Sequence, residues 1–320
     1  MKYYAAVLIG AMSYGILSTI VVLAYGQGYQ LGEVVGSQLL TGFILSWILA
    51  LCTGYTQRKN ARLAGRRRYS ADSSQDSQLL TWKSRLLLMA AGTPTVITGL
   101  VYYQSLRYIP ASLAIILLFQ FIWISVLIQA VAKRRLPDKV TLLTLLVVLG
   151  GTLLAAGILD QGLGEYNVWG IALGLLSAVS YSLFVLFSGK AVPAVHPAYR
   201  SAWMVTGGLT LLCVLFPPAF LFNGMILGQL LVFGLLLGFF GAFIPPVLFA
   251  IGVPHIGGGM AGILGAAELP VAVLLSAIVL REHVSGLQWV GVIIVLIGVA
   301  LPELSKHRHR DPELIRLENS

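Results

Sequence analysis

The chain has 320 residues, 58% hydrophobic and only 10% charged, with a mean hydropathy of +0.87 and a net charge of +9. Soluble domains carry about 25% charged residues, so this composition excludes one and specifies an all-α integral membrane protein. The basic residues lie between apolar runs, where membrane topology accounts for them and no nucleic-acid partner is implied. Cys52 and Cys213 sit in or beside apolar runs and give neither a disulfide framework nor a metal-ligand spacing, so neither a metal nor a cofactor is expected.

An apolar run over 4–24 follows Met1 and Lys2, and its length favours a retained span over a cleaved leader. Span two, 33–52, contains the buried polar Gln38, a candidate cavity-lining group. A basic loop over 54–83, including RKNARLAGRRRYSADSSQDS, reads as mobile and solvated. Span three, 85–104, is broken by Gly92, Thr93 and Pro94, and its Tyr102 and Tyr103 fall near the outer end, where interfacial tyrosines are common. Span four, 111–132, carries Gln120 and Trp123 on one helix face and stops at Lys133, Arg134, Arg135 and Pro137. Span five covers 140–158, and the hydrophilic link 160–167 marks the midpoint. Spans six, 168–187, and seven, 201–221, flank a loop with Lys190, His196, Pro197 and Arg200. Span eight, 230–252, is interrupted by Gly241, Pro245 and Pro246; spans nine and ten cover 260–280 and 286–301, and a charged tail closes the chain.

Ten spans put both termini on one side. With the N-terminus inside, 19 of the 21 Lys and Arg residues fall on the cytoplasmic side and only Arg107 and Arg281 outside, so the reading is a multi-pass cell-membrane protein with both ends cytoplasmic. LIGAMSYG at 8–15 aligns with LLSAVSYS at 175–182, placing Ser13 and Tyr14 on Ser180 and Tyr181. VVLGG at 147–151 aligns with VLIGV at 295–299, and at that offset Gln120 falls on Glu268. Halves of five spans each must be inverted in the membrane, so the units are a first repeat over 1–163, a second over 164–303 and a tail over 304–320.

Glu268 stands in the middle of span nine, two residues before Pro270. A charged side chain at bilayer depth costs about 2.5–3.5 kcal/mol on insertion scales, and one that is kept there faces a protein interior or a wet cavity. A protonated glutamic acid bonding a neighbouring helix is the structural alternative. As a carboxylate it would attract a cationic or amine-bearing substrate; alternating between protonated and ionised forms, it would couple protons to transport. Tyr14, Tyr181, Gln120, Trp123 and Gln38 complete the candidate binding set, and Pro94, Pro245, Pro246 and Pro270 are the candidate helix breaks that shape it.

The 5 + 5 plan, with Glu268, Pro270, Arg281, Glu282, Gly291 and Gly298 in an E-x-P…LRE ending before a glycine-containing last span, resembles the ten-helix drug/metabolite transporter superfamily, EamA-like branch. The first half departs from that pattern at Gln120, Ile122 and Arg134. The resemblance implies a secondary carrier moving a small metabolite or organic compound by alternating access, and export is the leading reading. Nutrient uptake is the alternative within transport. An integral membrane enzyme on lipid-linked substrates would need converging His, Asp, Glu or Cys groups, which the sequence lacks at helical spacing around Glu268, so the chain reads as no enzyme. The expected partners are a small-molecule substrate, the lipid bilayer and protons; the oligomeric state is left open.

Overall fold

The computed structural model describes residues 2–63, 81–105, 107–109, 111–134, 136–155, 167–218, 221, 228–281, 284–298 and 301, and every regular element among them is helical. In chain order these are α1 (Lys2–Gly15), α2 (Leu17–Gly26), α3 (Leu31–Leu63), α4 (Trp82–Ser105), α5 (Ala111–Phe119), α6 (Phe121–Lys133), α7 (Lys139–Ala155), α8 (Val168–Lys190) and α9 (Pro197–Leu215). They continue with α10 (Gln229–Leu237), a π-helical turn at Gly238–Phe243, α11 (Ile244–Ile256), α12 (Gly258–Gly265), α13 (Glu268–Val279) and α14 (Gly286–Gly298). Seven segments are long and apolar enough to cross a membrane: Lys2–Gly26, Leu31–Gln57, Trp82–Ser105, Val168–Lys190, Pro197–Leu215, Gln229–Ile256 and Gly258–Val279. Shorter apolar helices, Leu117–Ala132, Lys139–Leu154 and Gly286–Gly298, stand where spans four, five and ten are expected. Residues 64–80, the end of span five from 156, the link up to 166, Glu282 and the tail 304–320 lie outside the described residues.

Local chemistry explains where the helices break. Pro270 has no N–H to give the Ala266 carbonyl, which instead accepts from Leu269 at 3.1 Å, and the tight turn at Ala266–Ala267 separates α12 from α13. A corresponding break falls at Gln120, whose N–H closes on Leu117 at 3.2 Å. Span three is different: α4 runs unbroken over Pro94, against expectation, because the Thr93 hydroxyl donates to the Ala90 carbonyl at 2.9 Å in place of the missing proline N–H. The basic loop also starts later than expected, since α3 continues to Leu63; QRKNARL contains mostly good helix formers and no proline. On the second-half side Pro245 and Pro246 open α11, directly after the π-helical turn, so two missing donors coincide with the local irregularity.

The halves of the sequence pack into one another. α4 lies against α8 and α9, α1 against α11, α3 against α9 and α10, and α12 against α6. Small residues allow the closest of these approaches: Gly92 of α4 meets the Met204 backbone of α9, and Gly207 of α9 meets the Met89 backbone of α4. Outside the apolar segments, Asp138 caps α7 by accepting from the Thr141 hydroxyl at 2.5 Å and its N–H at 3.3 Å, and these bonds hold its carboxyl below the usual range.

Arg200, expected in a loop, is instead inside α9 and 1% exposed, because Pro197 starts the helix earlier than the hydropathy pattern suggests. Its guanidinium donates to the carbonyls of Ala191 at 3.1 Å, Ala250 at 2.8 Å and Ser188, tying the end of α8 and the start of α9 to α11. Arg200→Met is expected to strand three buried acceptors and cost about 3 kcal/mol, given about 1–3 kcal/mol for one such group. An earlier loss of monodisperse protein on heating in detergent checks this; an unchanged profile would show that water or relaxation replaces the guanidinium.

Candidate functional site

Breaks in two helices meet at the centre of the bundle. Gly15, at the end of α1, leaves no room for a Cβ against the Glu268 backbone carbonyl, so the α1–α2 junction seats directly on the start of α13. Ile16 closes its own turn on Ser13 at 3.3 Å. This contact brings Tyr14 and Glu268 to one wall and turns the Glu268 side chain inward, away from the lipid-facing surface.

The resulting cavity has a volume of about 100 Å³, comparable to a small organic molecule or a few waters. Tyr14, Gln38, Tyr102, Tyr103, Tyr181 and Glu268 are its polar landmarks, set among residues of α2, α3, α4, α5 and the π-helical turn. Glu268 lies within Coulombic range of all four of these tyrosines. The Tyr181 hydroxyl approaches the Glu268 carboxyl, but Oε2 and the hydroxyls of Tyr14 and Tyr181 are buried without a hydrogen bond of good geometry. Buried polar atoms are rarely left so, and three facing one cavity identify a place built to meet water or a ligand.

An aromatic floor closes the cavity toward the end of the bundle that carries the N-terminus. Tyr181 packs on Phe121 at 4.4 Å between ring centroids and meets Tyr14 edge-on at 5.7 Å, while Phe184 stacks on Phe249 at 5.6 Å. Beneath it Gln129 of α6 accepts from the Gly259 N–H of α12 at 2.6 Å, and Tyr3 stacks on His255 at 3.6 Å. The lining residues of α3 and α4 come from the halves of those helices remote from that floor, while Leu118 and Phe119 of α5 adjoin it.

Four of the six candidate binding residues, Glu268, Tyr14, Tyr181 and Gln38, are therefore brought together. Gln120 and Trp123 are not on this wall; their shared face is real, and the Trp123 indole donates to Gln120 Oε1 at 2.7 Å. Tyr102 and Tyr103, expected at the interface, are 8% and 6% exposed and line the cavity, because α4 is rotated to turn its Thr95, Thr98, Gly99 and Tyr102 stripe inward. That stripe recurs at three- and four-residue spacing and was the signal for a cavity face. Among the break residues, Pro245 and Pro246 follow the lining residues Gly241 and Ala242, Pro270 sets the turn before Glu268, and Pro94 offers its carbonyl to Ser180 Oγ at 2.7 Å. No cluster of metal-ligating side chains occurs among the described residues.

A family description matches the second half of the chain. Residues 168–302 match the description of the EamA-like transporter family. A protein of Synechocystis sp. named as an uncharacterized transporter is 24% identical over 316 residues, covering 94% of this chain and 92% of that one. A solved structure titled only "Crystal structure of protein" shares the fold at 18% identity, with a TM-score of 0.70 over 96% of this chain and 99% of its own. The apolar helices make the chain a multi-pass membrane protein, and its second half is similar to a family of transporters. These likenesses agree with the drug/metabolite transporter resemblance drawn from Glu268, Pro270 and their surroundings.

Proposed function

We propose that this protein is a secondary transporter of ten spans, arranged as two inverted five-helix repeats, which exports a small metabolite or organic compound across the cell membrane by alternating access and exchanges protons at Glu268. The observation that carries the reading is the unpartnered Glu268 Oε2 inside a cavity walled by both halves of the chain. An acid kept at depth against a cost of several kcal/mol needs a function that uses its charge or its proton.

A reciprocal pair of bonds supports the inverted plan. Ser13 Oγ of α1 donates to the Phe240 carbonyl at 2.6 Å, at the irregular turn of span eight, and Ser180 Oγ of α8 donates to the Pro94 carbonyl at 2.7 Å, in span three. The first helix of each half thus reaches into the proline-bearing third span of the other, at the two serines that the sequence repeat superimposes. The three shorter apolar helices bring the count to ten, and the cytoplasmic placement of both termini rests on the distribution of lysine and arginine.

The test is sided access. In a background with Cys52 and Cys213 replaced by serine, a cysteine at Gln38 is expected to react with a membrane-impermeant maleimide from one side of a proteoliposome at rest. It should react from the opposite side under a reversed pH gradient. Reaction from neither side, or from a single side whatever the gradient, would remove alternating access.

A further inference from the structure

We infer that the cavity takes a small primary or secondary ammonium ion, a cation with at least one N–H to donate, held between the Glu268 carboxylate and the tyrosine rings. The inference rests on reading this cavity as the transport site. It goes further by naming the chemistry of the cargo.

Charge gives the first constraint. Glu268 is the one carboxylate among the described lining residues, which include no lysine, arginine or histidine. An anionic cargo would enter against an unshielded like charge in surroundings of low dielectric, whereas a monocation neutralises it. Tyr14, Tyr102, Tyr103 and Tyr181 surround that carboxylate, and aromatic faces attract cations within about 6 Å of the ring centroid.

Hydrogen bonding gives the second. Glu268 Oε2 is a buried acceptor without a well-formed hydrogen bond, the Tyr181 hydroxyl only approaching the carboxyl group. Pro245 and Pro246 lack the N–H groups that would close α-helical turns on the Gly241 and Ala242 carbonyls, and both of those residues line the cavity. The neighbouring Phe240 carbonyl has found its donor in Ser13 Oγ, which shows how the bundle satisfies such a group when no ligand is needed there. A quaternary ammonium ion matches the charge but donates nothing, leaving acceptors unpaired at about 1–3 kcal/mol each. A hard divalent metal ion needs about six or more oxygen ligands, and one carboxylate beside helix carbonyls does not supply them. The volume of about 100 Å³ admits an amine with a compact apolar body, which the surrounding Leu17, Val35, Leu39 and Leu118 would cover.

Isothermal titration of the purified full-length protein in detergent tests this with two matched sets: benzylamine against benzyltrimethylammonium, benzyl alcohol and benzoate, and butylamine against its trimethylammonium and alcohol counterparts. At least one primary amine is expected to bind one-to-one, tenfold or more tighter than each of its analogues. That binding should fall tenfold or more in Glu268→Gln and weaken several-fold in Gly241→Ala, whose Cβ would press on Gln38 Nε2 and Leu17. Both variants should elute as the parent does, which separates a lost site from a lost fold. Binding of a quaternary ion or an alcohol as tight as its amine, or no amine binding in a well-folded sample, overturns the assignment. Gradient-dependent labelling at position 38 without amine binding would sink the cargo alone; loss of both would sink the transport reading with it.

Discussion

Glu268→Gln is expected to abolish transport driven by a pH gradient while leaving the protein folded. Glutamine preserves the size of the side chain and fits the same place beside Gly15, so the α1–α13 contact that positions it is unaffected. What it removes is the charge and the exchangeable proton in a cavity where Oε2 has no other partner. A charged hydrogen bond lost from a buried site costs about 1.5–3 kcal/mol, roughly a tenfold to a hundredfold fall in occupancy. Any flux that remains should have lost its pH response. Stability should be equal or higher, since the variant no longer buries an ionisable group in apolar surroundings. Proteoliposome flux across an imposed gradient, with thermal stability measured on the same samples, makes the comparison. Unchanged flux with an unchanged pH response would show that Glu268 is only a bond between helices.

The second large effect lies away from the cavity. Gly207→Val is expected to prevent accumulation of folded protein, because a Cβ at that position falls on the Met89 backbone, which cannot yield as a side-chain tip can. The reciprocal contact, Gly92 on the Met204 backbone, means that α4 and α9 approach from both sides and neither helix can tilt to make room. Overpacking in ordinary cores costs about 1–3 kcal/mol, and a backbone clash with no flexible partner belongs at or beyond the top of that range. Gly99→Ala, on the facing helix α4 with open space where its Cβ would go, is the control and should accumulate as the parent does. Normal yield and elution of the valine variant would show that α4 and α9 are farther apart in the membrane.

Several features were legible because a bilayer imposes length and charge rules on any chain that crosses it. Glu268 stood out as a lone acid inside an apolar run, and Pro270 marked the turn that precedes it, since a missing N–H is a covalent property. Ser13 and Tyr14 could be paired with Ser180 and Tyr181 by repeat alone, and the bonds of both serines cross between halves. Tyr102 and Tyr103 were misplaced because the same residue types serve a lipid interface or a cavity, depending only on how α4 is rotated. Gln120 and Trp123 shared a face as their spacing required, but one-dimensional spacing does not say that they satisfy one another across that turn.

Arg200 shows the division most plainly. Counted by sequence, it is a loop cation; folded, it is a buried clamp on three carbonyls, two of which become its neighbours only when α8 turns back into α9 and the third only when α11 packs across them. The amino-acid order by itself determined which segments are apolar enough to leave water, where backbone donors are missing and that one acid is carried to mid-depth, because each is a property of residues close together along the chain. Only the tertiary structure decided which polar atoms would face one another, since a helix presents every side of itself to its surroundings and the choice of side is made by the helices packed against it.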